Sequence, residues 1–144
     1  MKKITYIKYS LAIIGLSLVI SGFRWLISSE PWLLDQVANE ERLGITFQEL
    51  FSIKGNETLG DYLKQIYRFL GMYVLGIGLF VMSFSKNKIL EIKVLRVRIL
   101  MVLGILLFSN IVLAYFWIPS SHFIFLMWGA IGLYLFSLYN HFKM

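Results

Sequence analysis

Two arginines lie inside apolar runs of this sequence: Arg24 in "SGFRWLIS" and Arg68 in "IYRFLG". A guanidinium keeps its charge at any physiological pH, so within lipid it must meet an anion or reach water. On a helix Ser17, Ser21, Arg24 and Ser28 fall at i, i+4, i+7 and i+11 and share one face. Glu57, Asp61, Lys64 and Arg68 share a face in the same way, continued by Gly71 and Gly78. Asn110 is an amide inside a third apolar run, and Ser120, Ser121 and His122 open a fourth. If the four runs cross a membrane in alternating directions, all these groups arrive at one level, in the outer half. Two chemistries then compete. Both arginines pair with Glu30, Glu57 and Asp61 and tie a loop to the bundle, or Ser21, Arg24, Arg68, Asn110 and His122 line a pocket for an anionic or carbonyl-bearing, lipid-soluble molecule. The first needs no substrate and is preferred.

Other chemistry finds little support. The chain has no cysteine, which excludes disulfides, thiolate metal ligands and a Cys nucleophile. His122 and His141 are far apart in sequence, so no His-based metal site is expected. No Ser/His/Asp arrangement is apparent, and no Asp or Glu falls within a span, which argues against proton- or ion-coupled transport. No cofactor and no metal is expected, and an enzyme is disfavoured.

The elements that must position these residues are membrane helices. Of the 144 residues 58% are hydrophobic and 15% charged, whereas a soluble domain has about 45–50% apolar and about 25% charged. A span needs about 20 apolar residues. Four segments qualify, at about 9–28, 65–85, 99–117 and 122–140, giving an all-α, four-helix integral membrane domain over residues 1–144. The N-terminus resembles a signal peptide. However, Val19-Ile20-Ser21 is a poor cleavage site and the apolar run continues past it, so the segment reads as a retained helix. Basic residues set the direction. Lys2, Lys3 and Lys8, then Lys86, Lys88, Lys93, Arg96 and Arg98, then Lys143 place both termini and the connector of helices 2 and 3 in the cytoplasm. The acidic segment 29–61 and the "IPSSH" turn face outward. The net charge of +6 therefore reflects topology rather than nucleic-acid binding.

Segment 29–61 is too long for a plain connection. Glu30-Pro31 predicts a helix start with Leu33, Leu34 and Val37 on its apolar side. Thr46 and Glu49 have capping-box spacing, and Asn56 is placed to cap the helix that leads into the second span. Together these predict a helical lid on the outer bundle face that buries Phe47, Leu50 and Phe51, the alternative being an irregular solvated loop. Trp25, Trp32, Tyr62, Tyr67, Tyr115 and Trp117 fit an outer interfacial belt, and Tyr6, Tyr9 and Tyr139 an inner one. Gly71 and Gly78, and Gly129 and Gly132 on the fourth helix, mark expected helix contacts. The connector "KNKILEIKVLRVR" reads as an extension of the third helix whose basic stems snorkel to headgroups.

The stretches "GLSLVISGFRWLISSEPWLL" and "YRFLGMYVLGIGLFVMSF" resemble a bacterial family of small four-helix membrane proteins of unknown function, and more distantly the DoxX-like superfamily. The resemblance rests on a Gly-containing first helix ending at a Pro-headed loop, then Tyr67, Arg68, Gly71 and Gly78. It implies residence in a bacterial plasma membrane and, through quinone-linked DoxX relatives, a quinone or lipid beneath the lid. The outer segment here is longer than in that pattern. The functional expectation is a non-enzymatic accessory or partner-binding protein, in contact with membrane lipids, a protein partner or further copies of itself. The alternatives are an oligomeric channel or transporter component and a subunit of a quinone-linked oxidoreductase.

Overall fold

The computed structural model describes residues 2–144. It is helical throughout, with no strand among the described residues: α1 (Lys2–Ile27), a 3-10 turn (Pro31–Asp35), α2 (Gln36–Leu43), α3 (Phe47–Ser52), α4 (Leu59–Phe84), α5 (Asn87–Leu90), α6 (Lys93–Trp117) and α7 (Phe123–Phe142). The helices α1, α4, α6 and α7 are each long and apolar enough to cross a membrane. All but α7 run well beyond the apolar segment that marks them in the sequence. The additional turns carry charged residues such as Lys3, Asp61 and Arg96.

In space the four spans follow the order α4, α1, α7, α6. Glycine decides how α1 meets α4. Gly15 and Gly22 are seven residues apart on one helix, and Gly71 and Gly78 on the other, so the antiparallel pair touches twice, two turns apart. At each crossing backbone faces backbone: a Cβ on Gly22 would stand 2.5 Å from the Gly71 carbonyl oxygen, and one on Gly78 would stand 2.6 Å from that of Gly15. Lipid gives helices no hydrophobic drive to associate, so close approach of this kind must hold the pair together. The side-chain core lies instead among α1, α6 and α7, where Ile7, Leu11, Ile14, Leu100, Leu103 and Ile131 are buried. Large apolar side chains such as Phe69, Phe116 and Phe125 stand on the outside, as a lipid-facing surface requires.

Several short polar side chains in the spans or at their ends bond to their own helix. Ser17, Ser85, Asn110, Ser137 and Asn140 each donate to a carbonyl three or four residues earlier, so they need no partner across the bundle.

Gly129 and Gly132 depart from expectation. Both are exposed, and a Cβ on either would meet nothing within 4 Å. α7 meets its neighbours through Ile124, Ile131, Tyr134 and Ser137 instead, along another face. The serine–arginine stripe of α1 likewise lies away from the contact with α4. Ser17 and Arg24 are exposed and Ser21 and Ser28 half-buried, because the Gly15–Gly22 face has taken that contact.

Candidate functional site

One end of the bundle carries the segment from Ser29 to Thr58, and the other carries both termini and α5. The lid-bearing end holds most of the long-range polar contacts. Pro31 opens the 3-10 turn, as its fixed φ and missing N–H favour. Trp32 then turns inward, 6% exposed, with its ring 6.2 Å from that of Phe47 and 5.3 Å from that of Phe51. Trp32 is thus the core of the lid and not part of an interfacial belt. Phe47 is buried, while Leu50 and Phe51 are half-buried and Val37 is exposed.

The capping box of α3 is formed. Glu49 N–H donates to Thr46 Oγ1 at 3.2 Å, and the Thr46 N–H and hydroxyl donate to the Glu49 carboxylate at 2.9 Å. The Thr46 backbone N–H and then its hydroxyl hold the Glu49 carboxyl below the ordinary carboxylate range. This cap is therefore fully present above that range and is lost as the pH falls through the lowered value. Asn56 does not cap α4. Its side-chain amide donates to Leu50 O at 2.9 Å and closes the far end of α3, while Thr58 stands at the N-cap without a side-chain bond.

The lid is fastened across the bundle end on two sides. Toward α4, the Asn39 amide donates to the Tyr67 hydroxyl at 3.2 Å and to Trp32 O at 3.0 Å. Toward the α6–α7 turn, Ser121 donates to Asp35 at 2.5 Å and His122 Nδ1 lies 3.0 Å from the same carboxylate. Ser120 donates to Glu41, and the Arg42 guanidinium lies 4.7 Å over the Trp117 ring, within cation–π range. A segment that leaves α1 and returns to α4 thereby clamps α6 and α7 as well.

Of the five residues expected to line a pocket, only His122 joins this network, beside Ser120, Ser121 and Tyr67, which the sequence also singles out. Ser21 is half-buried, and Arg24, Arg68 and Asn110 are exposed. Asn110 donates to Leu106 O at 2.7 Å in its own helix. Arg24 and Arg68 do share a level, each one turn or less on the lid side of the Gly22–Gly71 crossing. They do not converge: Arg24 is about 200° around α1 from Gly22, and Arg68 is about 60° around α4 from Gly71. The expected ion pairs with Glu30, Glu57 and Asp61 are not formed. Among the described residues the His122–Asp35 contact is the one acid–base pair, and neither arginine makes a side-chain hydrogen bond. Glu57 instead accepts from the Gly55 N–H at 3.0 Å, a bond that lowers its carboxyl below the usual range. Asp35, at the end of the 3-10 turn, is bonded to Ser121 of the α6–α7 turn.

An open depression of about 270 Å³ lies where the lid meets the start of α4, and its walls are Ser29, Glu30, Trp32, Phe51, Asn56, Glu57, Gly60, Asp61 and Lys64. Three carboxylates against one ammonium suit neither an anion nor a quinone carbonyl, and the volume falls below the about 300–1,000 Å³ usual for small-molecule sites. None of the five residues of the expected pocket lines it.

Sequence reasoning also missed a second clasp, at the termini end. Arg96 is 6% exposed; its Nε donates to His141 Nδ1 at 3.0 Å and its Nη1 donates to Leu90 O. It locks the α5 elbow to the last turn of α7 rather than snorkelling. Nothing local in "KVLRVR" separates Arg96 from Arg98, which is exposed; only the helical phase of α6, once its buried face is known, distinguishes them. No group of three or more His, Cys, Asp or Glu among the described residues is arranged to hold a metal ion. Comparison with family models, with curated proteins and with solved structures finds no match.

Proposed function

We propose that this chain is a non-enzymatic accessory protein of the bacterial plasma membrane, which binds a partner protein through the flanks of its lid-bearing end. Both termini and α5 face the cytoplasm, and the lid faces outward. The observation that supports it most is the pair of exposed arginines at one level of α1 and α4, without an acid beside them, while Asp35 and Glu41 are engaged on the α6–α7 turn and Glu40, Glu49 and Glu57 within the lid. A charge left at the edge of an apolar span draws an anion from outside the chain. Carboxylates on a partner, or on another copy, would supply it with the bidentate geometry that favours arginine over lysine.

The test is the mass of the assembly extracted in mild detergent. Wild type is expected as a complex larger than one chain, and the Arg24→Gln/Arg68→Gln double variant as a folded single chain. An unchanged mass for the double variant overturns the reading. Orientation is checked separately, because the chain has no cysteine of its own. A cysteine at Ser29 should react with an impermeant thiol reagent on intact cells, and one at Lys88 should not; both positions are exposed. Labelling at Lys88 instead would reverse the topology.

A further inference from the structure

The bundle does not close. α4 packs on α1 and α6 on α7, and between α4 and α6 runs a groove of about 590 Å³. Its walls run from Met72 to Phe84 on α4 and from Leu95 to Leu106 on α6. That is about 18 Å along the first helix and about 16 Å along the second. Half of a bilayer core about 30 Å thick is about 15 Å, so the groove spans one leaflet. Its deep end lies near the bundle middle and its mouth at the termini end, since α4 finishes there and α6 begins there.

The lining is apolar apart from Tyr73 toward the deep end and Arg98 within one turn of the mouth; Arg98 stands exposed and, among the described residues, without a hydrogen-bond or ion-pair partner. Lys86 lies two residues past Phe84, and Lys88 and Lys93 flank the same elbow, against the single acid Glu91. About one turn from the deep end Gly76 leaves the wall open: a Cβ there would meet nothing within 4 Å.

From this geometry we infer that the α4–α6 groove holds one anionic phospholipid of the leaflet at the termini end, with an acyl chain laid along Gly76 and the phosphate on Arg98. An apolar slot one leaflet deep with a guanidinium at its water-side mouth matches a lipid's own layout, and guanidinium–phosphate bonding adds preference for the anionic headgroup. A transmembrane helix fits less well. Helix contacts in lipid favour small residues, and this groove is flanked by Tyr73 and Phe80, 71% and 68% exposed, with Gly76 its one small residue. The small-residue faces Gly15–Gly22 and Gly71–Gly78 are already closed on each other. The site is separate from Arg24 and Arg68 and does not depend on which side of the membrane the termini occupy.

Native mass spectrometry of the purified chain, titrated with phosphatidylglycerol or with phosphatidylcholine in detergent, tests it. Wild type is expected to take up one phosphatidylglycerol per chain with about tenfold preference over phosphatidylcholine, one charge-assisted contact's worth. Arg98→Gln should remove the preference while leaving residual binding of both lipids. Gly76→Leu, which has room to fold, should weaken both by obstructing the chain slot. Equal uptake of the two lipids by wild type overturns the proposal, as does an Arg98→Gln variant that keeps the preference. A dimer that Gly76→Leu converts to single chains would also overturn it, by assigning the groove to a second copy.

Discussion

Gly71→Ala and Gly76→Ala add one methyl group each to the same helix and should have opposite effects. At Gly71 the new carbon would stand 2.7 Å from the Gly22 carbonyl oxygen, 3.0 Å from Trp25 Cβ and 3.2 Å from Leu26 N. Two of these atoms are backbone, so relief requires α1 as a whole to move away. Overpacking of this kind costs about 1–3 kcal/mol, and here it also opens the contact that joins α4 to the bundle. At Gly76 the methyl meets nothing within 4 Å, and exchanging a helical glycine for alanine favours the helix by about 0.5–1 kcal/mol. Unfolding by a denaturing detergent, followed by helical dichroism, should therefore come earlier for the first variant and no earlier for the second. Equal midpoints would mean that α1 and α4 are not held through their glycines.

That contrast also marks how far local sequence patterns reach. The four spans follow from hydropathy over about 20 residues, a property each segment carries alone. The capping box at Thr46 and Glu49 is local as well, and it forms. Inward-facing Gly71 and Gly78 are legible because small residues suit close helix contact. The same argument fails at Gly129 and Gly132, since composition shows that a face could pack but not that a neighbour comes to it. The Ser17–Arg24 stripe fails for a related reason. Helical spacing groups residues on a face, but the direction of that face is set by the stronger contact elsewhere on the helix, here Gly15 and Gly22. Asn56 has two uses open to it, and closing α3 prevails over capping α4. The clasps are beyond local reasoning altogether: Asp35 meets Ser121, and Arg96 meets His141, across sequence separations of 86 and 45 residues. Each residue in these pairs is unremarkable until the fold brings its partner beside it.

The lid offers the other large expected effect, at Trp32. Its ring fills the space between Phe47, Phe51 and Gly60, with the nearest ring carbon 3.9 Å from a Cβ built on that glycine. Truncation of a buried tryptophan to alanine costs about 3–5 kcal/mol. Trp32→Phe should be far milder, because an aromatic ring remains and because Trp32 Nε1 is buried with no hydrogen-bond partner among the described residues. Removing an unpartnered buried donor recovers about 1–3 kcal/mol of desolvation against the lost ring area. The loss in Trp32→Ala should fall first on the lid and only then on the spans, whose core lies elsewhere. Ala38 reports this directly, being 2% exposed on α2 between the Asp35 and Glu41 fastenings. In a chain otherwise free of cysteine, Ala38→Cys should be protected from thiol reagents when Trp32 is kept and when it is combined with Trp32→Phe. Combined with Trp32→Ala it should be readily labelled. Protection in all three backgrounds would show that Asp35, Glu41 and Arg42 hold the lid on the α6–α7 turn without its aromatic core. Labelling in Trp32→Ala would show instead that the polar fastenings act only once the aromatic cluster has shaped the lid to reach them.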